Sequence, residues 1–435
     1  MAIHNGPAED VRRGDWAQRR TGKYIRERSP TRLRPGVAEP ERSLEIPRTT
    51  GGPIDHKPLS TSAELAADRK ICHMGSPESR QFFVCAMPVL RGICMLGVIL
   101  IHVAIPEPGT NAWLARALIF ANCCARYAVP VFIMLSGFYL SLNTRNESAI
   151  PLYRRTLKFL IVPYVIYSVG YSVLKFRTDL SPWLLIQSLL TASASAHLGF
   201  GLLIIQLYLL HPFVRRWYRR FRRREMLVAA VFLLQMAWSI SLSVWFREPD
   251  LLRTDVKVAA RLSGLLFVSH VGYFIFGYYL LERSAEAAQM LRNARFVLAA
   301  GAVWVLSAAV VFAYWGIERS QSISGVANVC ASVALNLFVP LMSLGALAAI
   351  LPLVQKLNAA ASAAQRFLHS LGLYSYGIYY FHGFAGWTIS LALRHALHYR
   401  RSDAMFYLLT FLLTPFVTLV CIRFLAKLPI GKYLT

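Results

Sequence analysis

Two side chains able to do chemistry stand at the ends of one apolar stretch. The stretch is RGICMLGVILIH, residues 91–102, and the two are Arg91 and His102, with ten uncharged residues between them. Eleven residues of helix turn through about 1,100°, roughly 20° past three full turns. The guanidinium and the imidazole therefore face the same way, about 16 Å apart along the axis. Each has a plain alternative, in which Arg91 snorkels to one headgroup layer and His102 to the other. Against it, Arg91 lies about eight residues inside the apolar run, deep for snorkelling. A charge within a span ordinarily faces the bundle interior and marks a pathway or site. Both groups on one stripe fit one cavity better than two accidents.

Other routes to catalysis lack support. The seven cysteines, Cys72, Cys85, Cys94, Cys123, Cys124, Cys330 and Cys421, form no CxxC pair and fall mostly in apolar runs. An odd, lipid-embedded set argues against a disulfide framework, and none has an activating base beside it in sequence. His395 and His398 form an H-x2-H on a loop, two ligands short of a metal site, so no metal is expected. P-loop, GxSxG and HExxH patterns are absent.

The elements that must position these groups are membrane helices. Of 435 residues, 56% are hydrophobic and 16% charged, where a soluble chain carries roughly 25% charged. The apolar residues are bunched into runs long enough to span a bilayer, with no alternating barrel pattern. The expectation is an all-α polytopic membrane protein with about ten transmembrane helices. They fall near 83–105, 126–142, 157–174, 198–214, 226–245, 263–281, 296–315, 326–350, 371–391 and 404–425. RRWYRRFRRRE (215–225) marks the cytoplasmic side, and with ten spans both termini are cytoplasmic. The net charge of +25 is set mostly by the tail and short loops, which reads as topology rather than nucleic-acid binding. WLARALIFANCC and PWLLIQSLL read as interfacial helices on the outer side. Residues 1–80 have no apolar core segment and read as a disordered basic cytoplasmic tail, with translation beginning at Met74 or Met87 as one hypothesis. Residues 81–428 form the membrane domain and 429–435 a short cytoplasmic tail.

Five stretches in order carry a resemblance. R-x10-H in the first span, VPVFIMLSGFYL (129–140), YRRTLKFLIVPYVIY (153–167), HLGFGLLIIQLYLLHPFV (197–214) and SYGIYYFHGFAGW (375–387) together resemble the acyltransferase 3 family of membrane-bound O-acyltransferases. The resemblance covers about residues 84–425 and makes 81–428 an acyltransferase domain. It implies transfer of an acyl group, usually acetyl, from cytoplasmic acetyl-CoA to a hydroxyl of a cell-surface or exported glycan, at the inner membrane of a bacterium. No cofactor is bound; an acyl-CoA is the co-substrate, and a glycan acceptor, lipid-linked or free, and membrane lipid are the partners.

The catalytic role then falls on His102. A sugar hydroxyl is a weak nucleophile and needs a base as it attacks a thioester; a histidine can instead carry the acyl group itself. Arg91 would hold donor phosphates, a use that suits a guanidinium. Arg155 and Lys158 match the family's Arg-x-x-Arg, at i and i+3 on one face, with Arg154 beside them as a third phosphate contact or a topology signal. Lys158 departs from the pattern and lacks the guanidinium fork. Arg126 is an outer-interface anchor or a glycan and oxyanion ligand. Ser136 and Gly137 fit close helix packing. Tyr164, His197, Tyr376 and His382 are accessory or acceptor-side residues, His382 equally an interhelical hydrogen-bonder. Gly199 stands where the family usually has a bulky aromatic. Two other classes fit the composition: a transporter or flippase of glycan intermediates, which polar residues along a channel suit, and a scaffold on anionic lipid. The first is disfavoured by the absence of an internal repeat.

Overall fold

The computed structural model describes residues 78–107, 109–143, 149–245, 266–320, 325–400, 402–428 and 431. Among them every element is helical, as lipid requires of a chain that must satisfy its backbone hydrogen bonds within each segment. The helices are α1 (Glu78–Val103), α2 (Ala112–Ala125), α3 (Ala128–Asn143), α4 (Ala149–Thr156), α5 (Val162–Phe176), α6 (Pro182–Thr191), α7 (Leu198–Arg220) and α8 (Arg224–Trp245). They continue as α9 (Val271–Glu282), α10 (Ser284–Leu291), α11 (Ala294–Ser320), α12 (Gly325–Ala360), α13 (Ala363–Leu373), α14 (Ser375–His395) and α15 (Ala404–Ala426).

Eight helical stretches among the described residues are long and apolar enough to cross a membrane, and they fall on eight of the ten expected spans. The other two differ for stated reasons. Residues 263–281 were expected to form one span, but α9 has only 12 residues, and 246–265 lie outside the described residues. α14 has the length, 21 residues, but carries Ser375, His382, Arg394 and His395, which lower its apolarity. Residues 1–77, and with them the expected tail and the Met74 start, lie outside the described residues, as does 429–435 apart from Gly431. The two stretches expected at the interface are the helices α2 and α6.

α1 is the hub. It packs against α2, α3, α10, α12, α13, α14 and α15, and Met87, Leu90, Met95, Val98 and Ile99 along it are buried. The expected close packing at Ser136–Gly137 is present: a Cβ on Gly137 would fall 2.1 Å from the Phe274 carbonyl oxygen, and one on Gly277 2.1 Å from that of Met134. α3 and α9 thus cross backbone to backbone, as small residues allow. One cysteine departs from expectation, since Cys85 is disulfide-bonded; Cys94, Cys123, Cys124 and Cys421 are free.

Candidate active site

His102 occupies the last turn of α1. Its side chain is exposed and opens into a cavity of about 260 Å³. The walls come from α14 (His382, Gly383, Gly386, Trp387), from α15 (Phe406, Tyr407, Thr410, Thr414) and from Glu107 after α1. The α15 wall has a readable origin. Thr410, Thr414 and Thr418 recur every four residues, hence on one face, and each hydroxyl donates to the carbonyl four residues earlier. That satisfies each donor within an apolar helix while leaving a polar stripe toward the cavity.

Three imidazoles cluster here, His102 and His382 lining the cavity from α1 and α14 and His197 packed behind them at the start of α7. The rings of His102 and His382 lie 5.2 Å apart, those of His197 and His382 4.9 Å, and those of His102 and His197 6.0 Å. His197, just before α7, and His382, inside α14, are 5% and 2% exposed. Their nitrogens are not equivalent. His382 Nδ1 lies 2.6 Å from the Tyr379 carbonyl oxygen. A carbonyl only accepts, so Nδ1 carries the proton and Nε2 is the bare acceptor; Nε2 is closed off from solvent and has no partner. His197 Nε2 is 3.4 Å from the Tyr380 carbonyl and so donates to it, while Nδ1 meets Ser195 Oγ at 2.9 Å. Both nitrogens of His197 are therefore engaged away from the cavity.

α14 is adapted locally to hold this cluster. The Tyr171 hydroxyl accepts from the Phe384 N–H at 2.8 Å and donates to the Tyr380 carbonyl at 3.0 Å. Those two backbone groups are i and i+4, the pair a regular helix would join. A side chain inserted at that rung fixes the helix at the turn bearing His382. Gly383 follows, and the His197 ring packs where its side chain would stand.

Arg91 lies in a different cavity, of about 280 Å³, with Tyr139, Asn143, Arg155, Thr156, Tyr208 and Tyr376. The guanidinium carbon stands 4.3 Å over the Tyr139 ring, a stacked cation–π contact. Two guanidinium groups around one hollow suit a phosphate-bearing ligand. Tyr208 and Tyr376 meet hydroxyl to hydroxyl at 3.0 Å, and Tyr208 also bonds to Ser136. The single crevice expected between Arg91 and His102 is thus two cavities with no lining residue in common. Helical phase does put both ends on one stripe, but Met95 and Val98, at i+4 and i+7 from Arg91, are packed on it at 0% and 2% exposure.

The remaining sequence-derived residues distribute unevenly. His382 joins His102 in the outer cavity, and His197 seats behind it. Tyr376 lines the Arg91 cavity instead, beside Arg155. Arg154 and Lys158 are exposed and line neither cavity. A π turn, Leu157–Ile161, opens between Arg155 and Lys158, so the α-helical phase expected to hold them on one face is not kept. Tyr164 donates to the Leu189 carbonyl, tying α5 to α6. Arg126 does not stand beside His102. It lines a third cavity, of about 660 Å³, with Gln235, Ser269, His270 and Tyr273, and bonds through Nε to Asn122 Oδ1 at 3.4 Å. Asn122 in turn donates to the Ile101 carbonyl at 2.6 Å, capping the end of α1. Sequence reasoning missed Tyr139, Tyr171, Asn122 and the threonine stripe; only the last leaves a periodic signal in sequence. No group of three or more His, Cys, Asp or Glu among the described residues is arranged to hold a metal.

A family model described as an acyltransferase domain matches residues 86–425, from the first turns of α1 to the last of α15. No curated protein and no solved structure matches significantly.

Proposed function

Because the chain belongs to this acyltransferase 3 family and is a membrane acyltransferase, we propose that it moves an acetyl group from cytoplasmic acetyl-CoA to a hydroxyl of a cell-surface or exported glycan, in the inner membrane of a bacterium. The observation that carries the reading is the division of α1: an arginine-lined cavity at Arg91 and, eleven residues on, a cavity into which His102 opens. The first suits an anionic donor and the second a neutral hydroxyl acceptor.

Orientation supports the assignment of sides. α7 starts beside His197 and runs about 34 Å to Arg219 and Arg220. Arg91 lies in the middle of α1, eleven residues before His102 and so displaced from it in the same direction. The arginine-rich turn and Arg91 therefore share a side, which positive-inside charge makes cytoplasmic. Donor phosphates sit against Arg91 and Arg155, with Tyr139 stacking behind the Arg91 guanidinium. The acyl arm passes outward between α1 and α14. At the outer cavity His102 takes the proton as the acceptor oxygen attacks the acyl carbonyl carbon. The carbon–sulfur bond breaks, and the proton leaves with the thiol. Alternatively His102 attacks first: the carbon–sulfur bond breaks, the thiolate leaves with the imidazole's proton, and the acyl-imidazole then yields its acyl group to the hydroxyl, whose proton returns to the freed imidazole.

The test is His102→Ala in cells, with mass spectrometry of the surface glycan. The variant should lose the acetyl mass from each glycan repeat while the amount of exported glycan stays unchanged. Export lost with acetylation per molecule intact would instead favour transport.

A further inference from the structure

As a base, His102 has no partner of its own. Neither ring nitrogen of His102 makes a hydrogen bond within the described residues, so none of those contacts chooses its tautomer, as a partner ordinarily does for a histidine base. Within reach, however, is a nitrogen with the opposite deficit. His382 has given its one N–H to the Tyr379 carbonyl, and its Nε2 has no partner. A buried acceptor left unpaired is costly, and the Tyr171 hydroxyl, set into the backbone rung over His382, holds the turn that carries it. His197 cannot fill the same role, because both its nitrogens are engaged.

We propose that His382 is a positioning residue for His102: its Nε2 accepts one ring N–H of His102, leaving the other ring nitrogen bare toward the acceptor hydroxyl. Ring centroids 5.2 Å apart allow nitrogens turned toward each other to meet at about 3 Å, hydrogen-bond distance. A rotation of the exposed His102 side chain closes the contact, while the buried His382 stays fixed. As His102 takes the proton of the attacking hydroxyl it becomes a cation with two N–H groups. One is held by His382 Nε2 and the other is delivered to the leaving thiolate, so the pair returns to its starting state. The inference rests on His102 being the base or acyl carrier.

The discriminating variant is His382→Asn. The asparagine amide nitrogen falls where Nδ1 was and still donates to the Tyr379 carbonyl, but nothing replaces Nε2. Full-length protein in membrane vesicles is given labelled acetyl-CoA and polysaccharide extracted from cells lacking the gene. The expected result is a fall of about 100-fold in kcat, the lower range for a misdirected base, with KM for acetyl-CoA unchanged and thermal stability near that of the parent. His382→Gln, whose amide oxygen can accept an N–H near the Nε2 position, should recover part of the lost rate, which a merely structural role would not predict; His382→Ala serves if the asparagine variant does not fold. Wild-type kcat in folded His382→Asn or His382→Ala overturns the proposal, as does a rise in KM with kcat unchanged. His102→Ala, run alongside, separates the levels. Transfer by that variant defeats the underlying reading; its loss, with His382→Asn fully active, defeats this inference alone.

Discussion

Adding one methyl at Gly383 should uncouple activity from stability. A Cβ there would lie 2.6 Å from His197 Cε1, 3.0 Å from the Tyr171 hydroxyl and 3.1 Å from His197 Nδ1. None of these atoms can swing aside. His197 is 5% exposed and bonded at both nitrogens, and the Tyr171 hydroxyl is bonded to two backbone groups. Ordinary contact therefore requires the imidazole to move by about 1 Å. Overpacking of this kind costs about 1–3 kcal/mol, and alanine recovers about 1 kcal/mol of helix propensity over glycine. The net loss is about 0–2 kcal/mol, which lowers Tm by only a few degrees in a chain of this size. A 1 Å displacement among reacting groups can cost about 100-fold in rate. Gly383→Ala should thus keep most of its stability and lose most of its acetyl transfer. Scanning fluorimetry and labelled-acetyl transfer in the same membrane preparation measure the two. Gly170→Ala on α5 is the matched control, since a Cβ there meets nothing within 4 Å, and it should leave both readings unchanged. A Gly383→Ala protein with wild-type transfer would show that the His197 ring does not back the reacting pair.

Two further outcomes concern the inner cavity. Arg91→Lys keeps the charge but loses the fork and the stack on Tyr139; with a cation–π contact worth about 0.5–2 kcal/mol, KM for acetyl-CoA should rise about 2- to 30-fold with kcat little changed, and an unchanged KM would remove Arg91 from the donor site. Tyr376→Phe deletes one hydroxyl of the Tyr208 pair, worth about 1 kcal/mol; if the arm passes there, stopped-flow transfer should be as fast as wild type or up to about fivefold faster, and a large fall in rate at unchanged stability would assign that hydroxyl to the chemistry instead.

Much of the site was legible because helical phase is local. The spacing of Arg91 and His102 gives one stripe, and the structure keeps both on the inward side of α1. The five stretches that carried the family resemblance bring His197 and His382 to His102. What spacing could not give is which side chains close a gap. Met95 and Val98 lie on the same stripe, and nothing in their identity says whether they line a crevice or fill it. Lys158 was drawn beside Arg155 by α-helical phase, and the π turn at Leu157 breaks that phase with no sequence mark of its own. Arg126 follows the whole of α2, so its distance from His102 depends on how α2 packs on α1. Its cavity lies on another side of α1, a matter of which helices pack there, here α8, α9 and α12.

The separation of the two cavities limits how an acyl group can cross. On the α1 side the stripe is closed by packed aliphatic side chains, and displacing them would leave voids in the core around the hub helix. Opening on that side would cost several kcal/mol by the scale of core truncations. On the α14 side the barrier is tyrosine. Tyr376 bonds to Tyr208, Tyr380 stacks on Tyr167 at 5.4 Å, and Tyr379 packs on Phe200 at 5.0 Å. Tyr376 is six residues, about 9 Å, below His382, so it stands between the arginines and the imidazoles. A phenol pair held by one hydrogen bond of about 1 kcal/mol is the weakest element of this wall, and Tyr376 is only half-buried. Breaking it exposes hydroxyls that the amide groups of an acyl-CoA arm can satisfy, whereas parting Met95 from its neighbours offers that arm nothing in return. The physical asymmetry favours a route along α14, which delivers the thioester to the face of the outer cavity where His382 and His102 meet.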